Sequence, residues 1–255
     1  MALANLHQKK PEPVISGDIN ISKTLAKCFG YMAIGLLITA AVAFGAGLLF
    51  VYLIFPTSNS EQISESASVA YLATMIVSAI LLFIDSIVMR VVMVRGKHSI
   101  LPHYIFYSVI MGVLLSSFLV AGIDFKIIGI AAASAALVFA ALFFIGYFSK
   151  RNLNIAAYIG MSILFALMMF GLLSLLILVL FPTTAMVYSL IYCGVFEVVM
   201  LICIAADCYN IKHIIAKAEQ GNNNIVLWCA YTMYSDFIYL FVRLVVIIAS
   251  LSKRD

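Results

Sequence analysis

The sequence is poor in charged residues. Only 10% of its 255 residues are Asp, Glu, Lys or Arg, whereas a soluble domain carries about 25%. Hydrophobic residues make up 65%, which is more apolar surface than a soluble fold of this length can bury. The net charge of +4 is too small to indicate a nucleic-acid partner. We therefore predict an all-α protein whose helices cross a lipid bilayer.

The motifs that mark enzymes and ATP-driven pumps are also missing. The five cysteines form no CxxC pair and the four histidines are scattered, so no metal-ligand spacing is present. No nucleotide-binding loop and no Ser-His-Asp arrangement occurs. Residues 1–22 are polar and lack a short apolar core before a cleavage site, so we expect no removable signal peptide. We predict a protein that is not an enzyme and needs no cofactor.

The sequence does contain long apolar runs. Crossing ~30 Å of hydrocarbon takes about 20 helical residues, and seven stretches are long enough. They lie at residues 28–55, 68–93, 101–122, 127–148, 154–181, 184–213 and 226–250. We predict a polar tail at residues 1–25 and a bundle of seven transmembrane helices at residues 26–255.

Lys and Arg are divided unevenly between the two sets of connections, which predicts orientation. One side holds only Lys126, Lys253 and Arg254. The other side, which includes the N-terminus, holds Lys9, Lys10, Lys23, Lys27, Arg90, Arg95, Lys97, Lys150, Arg151, Lys212 and Lys217. We therefore predict a cytoplasmic N-terminus. The short N-terminal tail and the compact length favour a prokaryotic plasma (inner) membrane. Seven crossings would place the C-terminus outside, and its two basic residues leave a re-entrant last segment as an alternative.

Three carboxylic acids lie inside the last two predicted spans. They are Glu197 and Asp207 in the sixth span and Asp236 in the seventh. Because a lone charge at the bilayer centre costs roughly 3 kcal/mol or more, such residues usually face the bundle interior and serve a function. A short polar loop at 218–224 makes the two spans antiparallel neighbours. Asp207 and Asp236 then lie at a similar depth, about 15 Å from the loop side at 1.5 Å per residue.

Two carboxyl groups that meet in a poorly solvated site cannot both ionise at low cost, so they tend to share one proton. A protonated pair can hydrogen-bond and hold two helices together. A doubly ionised pair repels itself or recruits a cation such as Ca²⁺, which prefers oxygen ligands. The predicted pH-sensing and gating residues are thus Asp207 and Asp236, which are also candidate Ca²⁺ ligands. A structural, hydrogen-bonded pair is the alternative.

Other charged residues are candidates for supporting roles. Arg90, near the end of the second span, is a candidate partner of the two aspartates, and Arg95 is the competing one. Glu197 lies ten residues before Asp207, so it could mark the outer half of an ion path or form a hydrogen bond between helices. Asp85 is a weaker ion-path candidate, with pairing to Arg90 as its alternative. We expect a structural role for Arg243.

Four stretches resemble the Bax inhibitor-1 family, also called transmembrane Bax inhibitor motif proteins. They are GYMAIGLLITAAVAFG (30–45), IMGVLLSSFLV (110–120), AADCYNIKHI (205–214) and LWCAYTMYSDFIYLF (227–241). The resemblance implies seven helices with a central sixth helix, and a pH-sensitive calcium leak controlled by two aspartates, which match Asp207 and Asp236. The latch arginine of the family would be Arg90 or Arg95. Two positions depart from the family pattern: Tyr239 stands where an asparagine is common, and Ala206 where many relatives have tyrosine.

The leading hypothesis is therefore a passive, pH-gated leak for cations, most of all for calcium, whose partners are the lipid bilayer, Ca²⁺ and protons. A second hypothesis is a regulatory protein that binds another membrane protein, such as a protease or a secretion component. A third is a proton/cation exchanger. The sequence does not distinguish among the three.

Overall fold

The computed structural model describes residues 14–54, 65–95, 99–149, 185–217 and 223–252, with a few single positions between 153 and 163. All regular structure in these ranges is helical. Six stretches are long and apolar enough to cross a membrane, so the chain is a multi-pass membrane protein. The helices are α1 (Val14–Ile54), α2 (Glu65–Arg95), α3 (Leu101–Leu115), α4 (Ser117–Val120), α5 (Phe125–Phe148), α6 (Ala185–Lys217) and α7 (Asn223–Ser252).

Six of the seven predicted spans coincide with these helices to within a few residues at most ends. The fifth, 154–181, lies almost entirely outside the described residues. The clearest difference is at α1, which begins at Val14, inside the predicted polar tail, although its apolar span begins only at Ser22. Hydropathy locates the part of a helix that lies in hydrocarbon, but a helix can continue into water because its backbone hydrogen bonds are internal.

Local sequence signals set the boundaries around α3, α4 and α5. Pro102 lies in the first turn of α3, where its missing N–H is not needed. Ser116 interrupts the span between α3 and α4, and its hydroxyl donates to the Val113 carbonyl at 2.6 Å. Gly122 then takes a φ of 68°, which favours glycine, and Asp124 caps α5 by accepting from the Lys126 N–H at 3.0 Å.

The last helix lies at the centre of the described bundle. Helix α7 packs against α1, α2, α3, α5 and α6, whereas α6 packs against α1, α5 and α7. The prediction of a central sixth helix is therefore wrong for the described part of the chain. The burial pattern of α7 agrees with this position, because no side chain from Val226 to Leu240 is exposed: one face is fully buried and the opposite face is half-buried.

Helices α1 and α5 lie on either side of α7 without packing backbone against backbone. Aromatic side chains bridge them instead, Phe44 to Phe125 and Phe29 to Phe143. The outer surface of the bundle is apolar, and Leu37, for example, is 70% exposed. Such a surface fits lipid rather than water. We call the end of the bundle at which α1 begins the near end, and the opposite end the far end.

Two glycines allow close helix contacts. A Cβ atom at Gly112 of α3 would collide with the Thr39 carbonyl and with Val42 of α1. A Cβ atom at Gly146 of α5 would collide with the Ala205 carbonyl of α6. Small residues commonly bring helices together in membranes, because van der Waals contact replaces the hydrophobic effect there. These contacts fix α1 to α3 and α5 to α6, and so hold the two sides around α7.

Candidate functional site

The two intramembrane aspartates lie on adjacent helices that point in opposite directions. Asp207 is half-buried on α6, and Asp236 is buried on α7 with 8% of its surface exposed. The two carboxyl groups are close enough to interact electrostatically. The short loop after α6 and the antiparallel course of α7 produce this meeting, because they return the chain alongside the helix it has just left.

The carboxyl group of Asp236 is poorly solvated. Its Oδ2 atom is buried and has no hydrogen-bond partner among the described residues. Two buried thiols of α6, those of Cys203 and Cys208, are close enough to interact electrostatically with both aspartates. Thiols are weak donors, so they satisfy a carboxylate poorly. An ionised Asp236 would therefore bury a charge that nothing at Oδ2 offsets, which makes the neutral, protonated form the cheaper one in this geometry.

Of the two candidate arginines, Arg90 is the one that the structure brings to the aspartates. Arg90 interacts electrostatically with Asp207 and with Tyr231 of α7. Arg95 lies exposed at the last residue of α2. Arg95 follows Arg90 by five positions, which is about 500° of rotation at 3.6 residues per turn. The two arginines therefore lie about 140° apart around the helix axis. Arg90 can therefore offset negative charge at Asp207 from a third helix.

A cluster of tyrosines that the sequence analysis did not single out lies beside the aspartates on the near side. Tyr107 of α3 and Tyr231 of α7 meet edge to face, with ring centroids 4.9 Å apart. Tyr234, two residues before Asp236, shares a 2.6 Å hydrogen bond with the hydroxyl of Thr39. Thr39 also donates towards the Ser108 carbonyl at 3.0 Å. Tyr231 and Tyr234 lie in the stretch LWCAYTMYSDFIYLF (227–241), which was the available signal, but the sequence does not show which helices they contact.

Asp85 has a different partner from Arg90, the one that the sequence suggested. Its Oδ1 atom is 2.8 Å from Nδ1 of His103, at the start of α3, rather than beside Arg90 of its own helix. Asp85 is buried and its Oδ2 atom has no partner among the described residues, while His103 is about one-third exposed. The contact ties α2 to α3. Nothing in the sequence pointed to His103, which is 18 residues away on another helix.

Glu197 lies towards the far end and forms an ion pair. Its Oε2 atom is 3.3 Å from Nε of Arg243. The hydroxyl of Tyr239 stands between them, donating to Glu197 at 3.5 Å and accepting from Arg243 at 3.3 Å. The Arg243 guanidinium also lies 5.4 Å from the ring centre of Phe196. Tyr239, the departure from the family pattern, is therefore part of a polar bridge between α6 and α7.

The described residues contain no group of three or more His, Cys, Asp or Glu side chains that could hold a metal ion. Two carboxylates alone are an incomplete site for Ca²⁺, which takes six to eight oxygen ligands. A cation at Asp207 and Asp236 would therefore need carbonyl oxygens or water as well.

Comparisons with known proteins identify the family. A family model described as "Inhibitor of apoptosis-promoting Bax1" matches residues 21–253. No curated protein and no solved structure matches the chain. The family is not known as one of enzymes. Because the match runs from the first membrane span to the end of α7, it includes both aspartates and every helix of the candidate site. The chain belongs to the Bax inhibitor-1 family.

Proposed function

We propose that this protein is a passive, pH-gated leak for cations, with Ca²⁺ as the main transported ion and with Asp207 and Asp236 as the gate. One observation supports the proposal most. The carboxyl group of Asp236 is buried, one of its oxygens has no partner among the residues that the structure describes, and it interacts with a second carboxyl group on the neighbouring helix. A structural hydrogen-bonded pair would satisfy its own oxygens, whereas this one leaves room for a proton or a passing cation.

The proposed gate works through the charge state of the pair. With one or both groups protonated, α6 and α7 stay together and the path past them is closed. At higher pH both groups ionise, repulsion separates the helices, and the two carboxylates offer negative oxygens to a cation. Arg90 moderates this change, because its positive charge near Asp207 offsets part of the repulsion. No ATP and no cofactor enters the cycle.

The proposal carries a topology with it. We propose seven spans in a prokaryotic plasma membrane, with the cytoplasmic N-terminus that the distribution of Lys and Arg predicts. The near end of the bundle, with Lys212 of α6 and Arg95 of α2, would face the cytoplasm. The aspartate pair would then receive protons from the cytoplasmic side, and the Glu197–Arg243 bridge would lie on the outer side.

The direct test is Ca²⁺ flux into liposomes that hold the purified protein, measured from pH 5 to pH 9. We compare wild type with Asp207→Asn, Asp236→Asn and the control Asp124→Asn, which removes a carboxylate from the exposed cap of α5. We expect flux to rise with pH in wild type and in the control. Each of the two gate variants should lose that dependence. If no variant of a folded protein conducts at any pH, the leak proposal is wrong.

Two further readouts distinguish the rival functions. A pH-sensitive dye inside the same liposomes reports proton counter-flow. An exchanger would move protons in fixed proportion to Ca²⁺, whereas a leak would not. A regulatory protein would instead show no flux and would retain a specific membrane protein during purification in mild detergent. Retention of that partner by Asp236→Asn would separate a binding role from a gating role.

A further inference from the structure

A lateral cleft in the apolar surface separates α1 from α5 and has α7 as its floor. Two cavities follow one another along it. The larger, of about 610 Å³, lies towards the far end, and the smaller, of about 400 Å³, lies towards the near end. Phe237 of α7 lines both. We call this feature the α1–α5 cleft, bounded by Phe29 and Phe44 on α1 and by Phe125 and Phe143 on α5.

Small side chains make the cleft and aromatic pairs close its ends. Ala40 of α1 and Ala132 of α5 line the larger cavity, where their methyl groups leave space between the helices. At the far end the rings of Phe44 and Phe125 are 6.2 Å apart, and at the near end those of Phe29 and Phe143 are 5.1 Å apart. The cleft is therefore an elongated space with defined ends rather than an open face.

The lining chemistry selects a hydrocarbon. Among the residues that line the larger cavity, Thr39 is the polar one, and its hydroxyl is occupied by Tyr234, Ser108 and Gly35. No polar group on these walls is therefore left to bind a headgroup. Leu37 and Phe125 line the cavity while 70% and 60% exposed, so the space communicates with the bilayer-facing surface.

The length and width of the cleft fit a lipid acyl chain rather than a protein helix. Fifteen residues separate Phe29 from Phe44, so the cleft is roughly 22 Å long at 1.5 Å per residue. One leaflet is about 15 Å deep, half of ~30 Å, so a lipid tail can lie along the cleft and pass the midplane. A second copy of this protein would have to insert a helix about 10 Å across. The Phe44–Phe125 and Phe29–Phe143 pairs bridge α1 and α5 at the two ends of the cleft and leave no room for such a helix.

We propose that the α1–α5 cleft is a binding site for one acyl chain of a membrane phospholipid. The chain enters from the bilayer between α1 and α5 and contacts Phe237 and Ile238 on α7. Those two residues directly follow Asp236, so the bound tail lies against the helix segment that carries the buried carboxyl group. The site is independent of whether the protein conducts ions.

The test uses the full-length protein in phosphatidylcholine vesicles with a trace of phosphatidylcholine that carries a diazirine near the end of one acyl chain. After irradiation, peptide mass spectrometry locates the adducts. We expect adducts on Phe237 or Ile238. Ile238 is only 4% exposed, so lipid at the outer surface does not reach it. Adducts confined to exposed side chains such as Leu137 would overturn the proposal.

Neighbouring alanines provide matched variants. Ala40→Trp and Ala132→Trp fill the cleft, whereas Ala41→Trp and Ala133→Trp add the same side chain at exposed positions of the same helices that do not line it. Because the indole occupies the space of several methylene groups, we expect labelling of α7 to fall about tenfold in the first two. It should be unchanged in the other two. Equal labelling in all four folded variants would contradict an acyl-chain site.

Two other occupants of the cleft, a free fatty acid and a second copy of the protein, would give different experimental results. If a diazirine fatty acid labels α7 while the phospholipid does not, the site takes free fatty acids and the proposal fails. If a Leu37→Cys variant cross-links to a second copy in high yield in the same vesicles, the cleft is a protein interface and the proposal also fails. A monomeric Leu37→Cys variant with phospholipid adducts on α7 supports the proposal.

Discussion

At the scale of single residues, polar groups inside this bundle differ in how well they are satisfied. Tyr234 and Thr39 share a short hydrogen bond in the core, and Glu197 has Arg243 and Tyr239. Asp85 and Asp236 each keep one buried carboxyl oxygen without a partner among the described residues. Since an unpartnered buried polar group costs about 1–3 kcal/mol, satisfied groups serve stability and unsatisfied ones are the candidates for function.

The Tyr234 hydroxyl should contribute to stability. Tyr234→Phe removes one partner of the Thr39 hydroxyl, which keeps its bonds to the Ser108 and Gly35 carbonyls. We expect a loss of about 1 kcal/mol, measured as a lower midpoint of thermal unfolding in detergent. Tyr71→Phe, on the partly exposed face of α2, is the control and should change little. A midpoint unchanged in Tyr234→Phe would show that the hydroxyl is dispensable.

The Glu197–Arg243 pair should behave as a coupled unit. Arg243→Met leaves the Glu197 carboxylate without its cation, and Glu197→Gln leaves the arginine without its anion, so each should cost roughly 2 kcal/mol. The double variant should cost less than the sum of the two. The arginine variant should be the worse one, because it also loses its contact with the Phe196 ring. Unfolding free energies that simply add would argue against the bridge.

At the scale of helices, positions of close contact matter more than amphipathic patterning. The helices are apolar on most sides, because both lipid and protein neighbours are apolar. Glycine at the α5–α6 contact and the aromatic bridges across the α1–α5 cleft therefore decide which faces meet. Helix α7 is central because it contacts five other described helices and exposes no side chain between Val226 and Leu240.

Gly146 should tolerate no side chain. The Cβ atom of Gly146→Ala would collide with the Ala205 carbonyl, a backbone atom that cannot move without shifting α6. We expect a loss of about 1–3 kcal/mol in unfolding free energy. On the same helix, nothing lies within 4 Å of the Cβ position at Gly129. Gly129→Ala should be neutral, or stabilising by up to ~1 kcal/mol through helix propensity. The opposite ranking of the two variants would mean that α5 and α6 pack differently.

The contrast between Asp207 and Asp85 shows how far such a site can be predicted from the sequence. Asp207 and Asp236 lie on spans joined by a short loop, so chain connectivity predicts that their helices are neighbours. Asp85 and His103 also lie on helices joined by a short connection, but Asp85 is 10 residues before the end of α2 and His103 only 2 residues after the start of α3, so matching depth does not pair them. The rotation of both helices about their axes also decides whether the two groups reach 2.8 Å, and the sequence does not show that rotation where helices are apolar all round. For the same reason spacing did not decide between Arg90 and Arg95.

At the scale of the whole molecule, charge divides the bundle into two halves. The aspartate pair, Arg90 and the Asp85–His103 contact lie towards the near end, while the Glu197–Arg243 bridge lies towards the far end. Between them the core is apolar and aromatic, with Ile238 and Leu240 buried on α7. Under the proposed leak function, an ion would meet two polar sites separated by an apolar stretch, so we expect its passage to require movement of helices.

The two chain ends should lie on opposite sides of the membrane if the chain crosses seven times. Single cysteines introduced by Ala4→Cys and Ser252→Cys test this with a membrane-impermeant maleimide on whole cells. We expect Ser252→Cys to react in intact cells and Ala4→Cys to react only after lysis. Cys28, Cys203, Cys208 and Cys229 are buried, and the parent protein gives the background. Labelling of both positions on the same side would mean an even number of crossings.

The hairpin of α6 and α7 has a consequence for synthesis. Ribosomes deliver chains from the N-terminus, so Glu197 and Asp207 emerge well before Arg243, which is the partner of Glu197. If α6 entered lipid alone at that moment, the Glu197 carboxyl group would enter hydrocarbon without its cation. We therefore expect the insertion machinery to hold α6 until α7 is complete, so that the two helices enter the membrane together. A chain truncated before Arg243 should then remain at the translocon or be degraded.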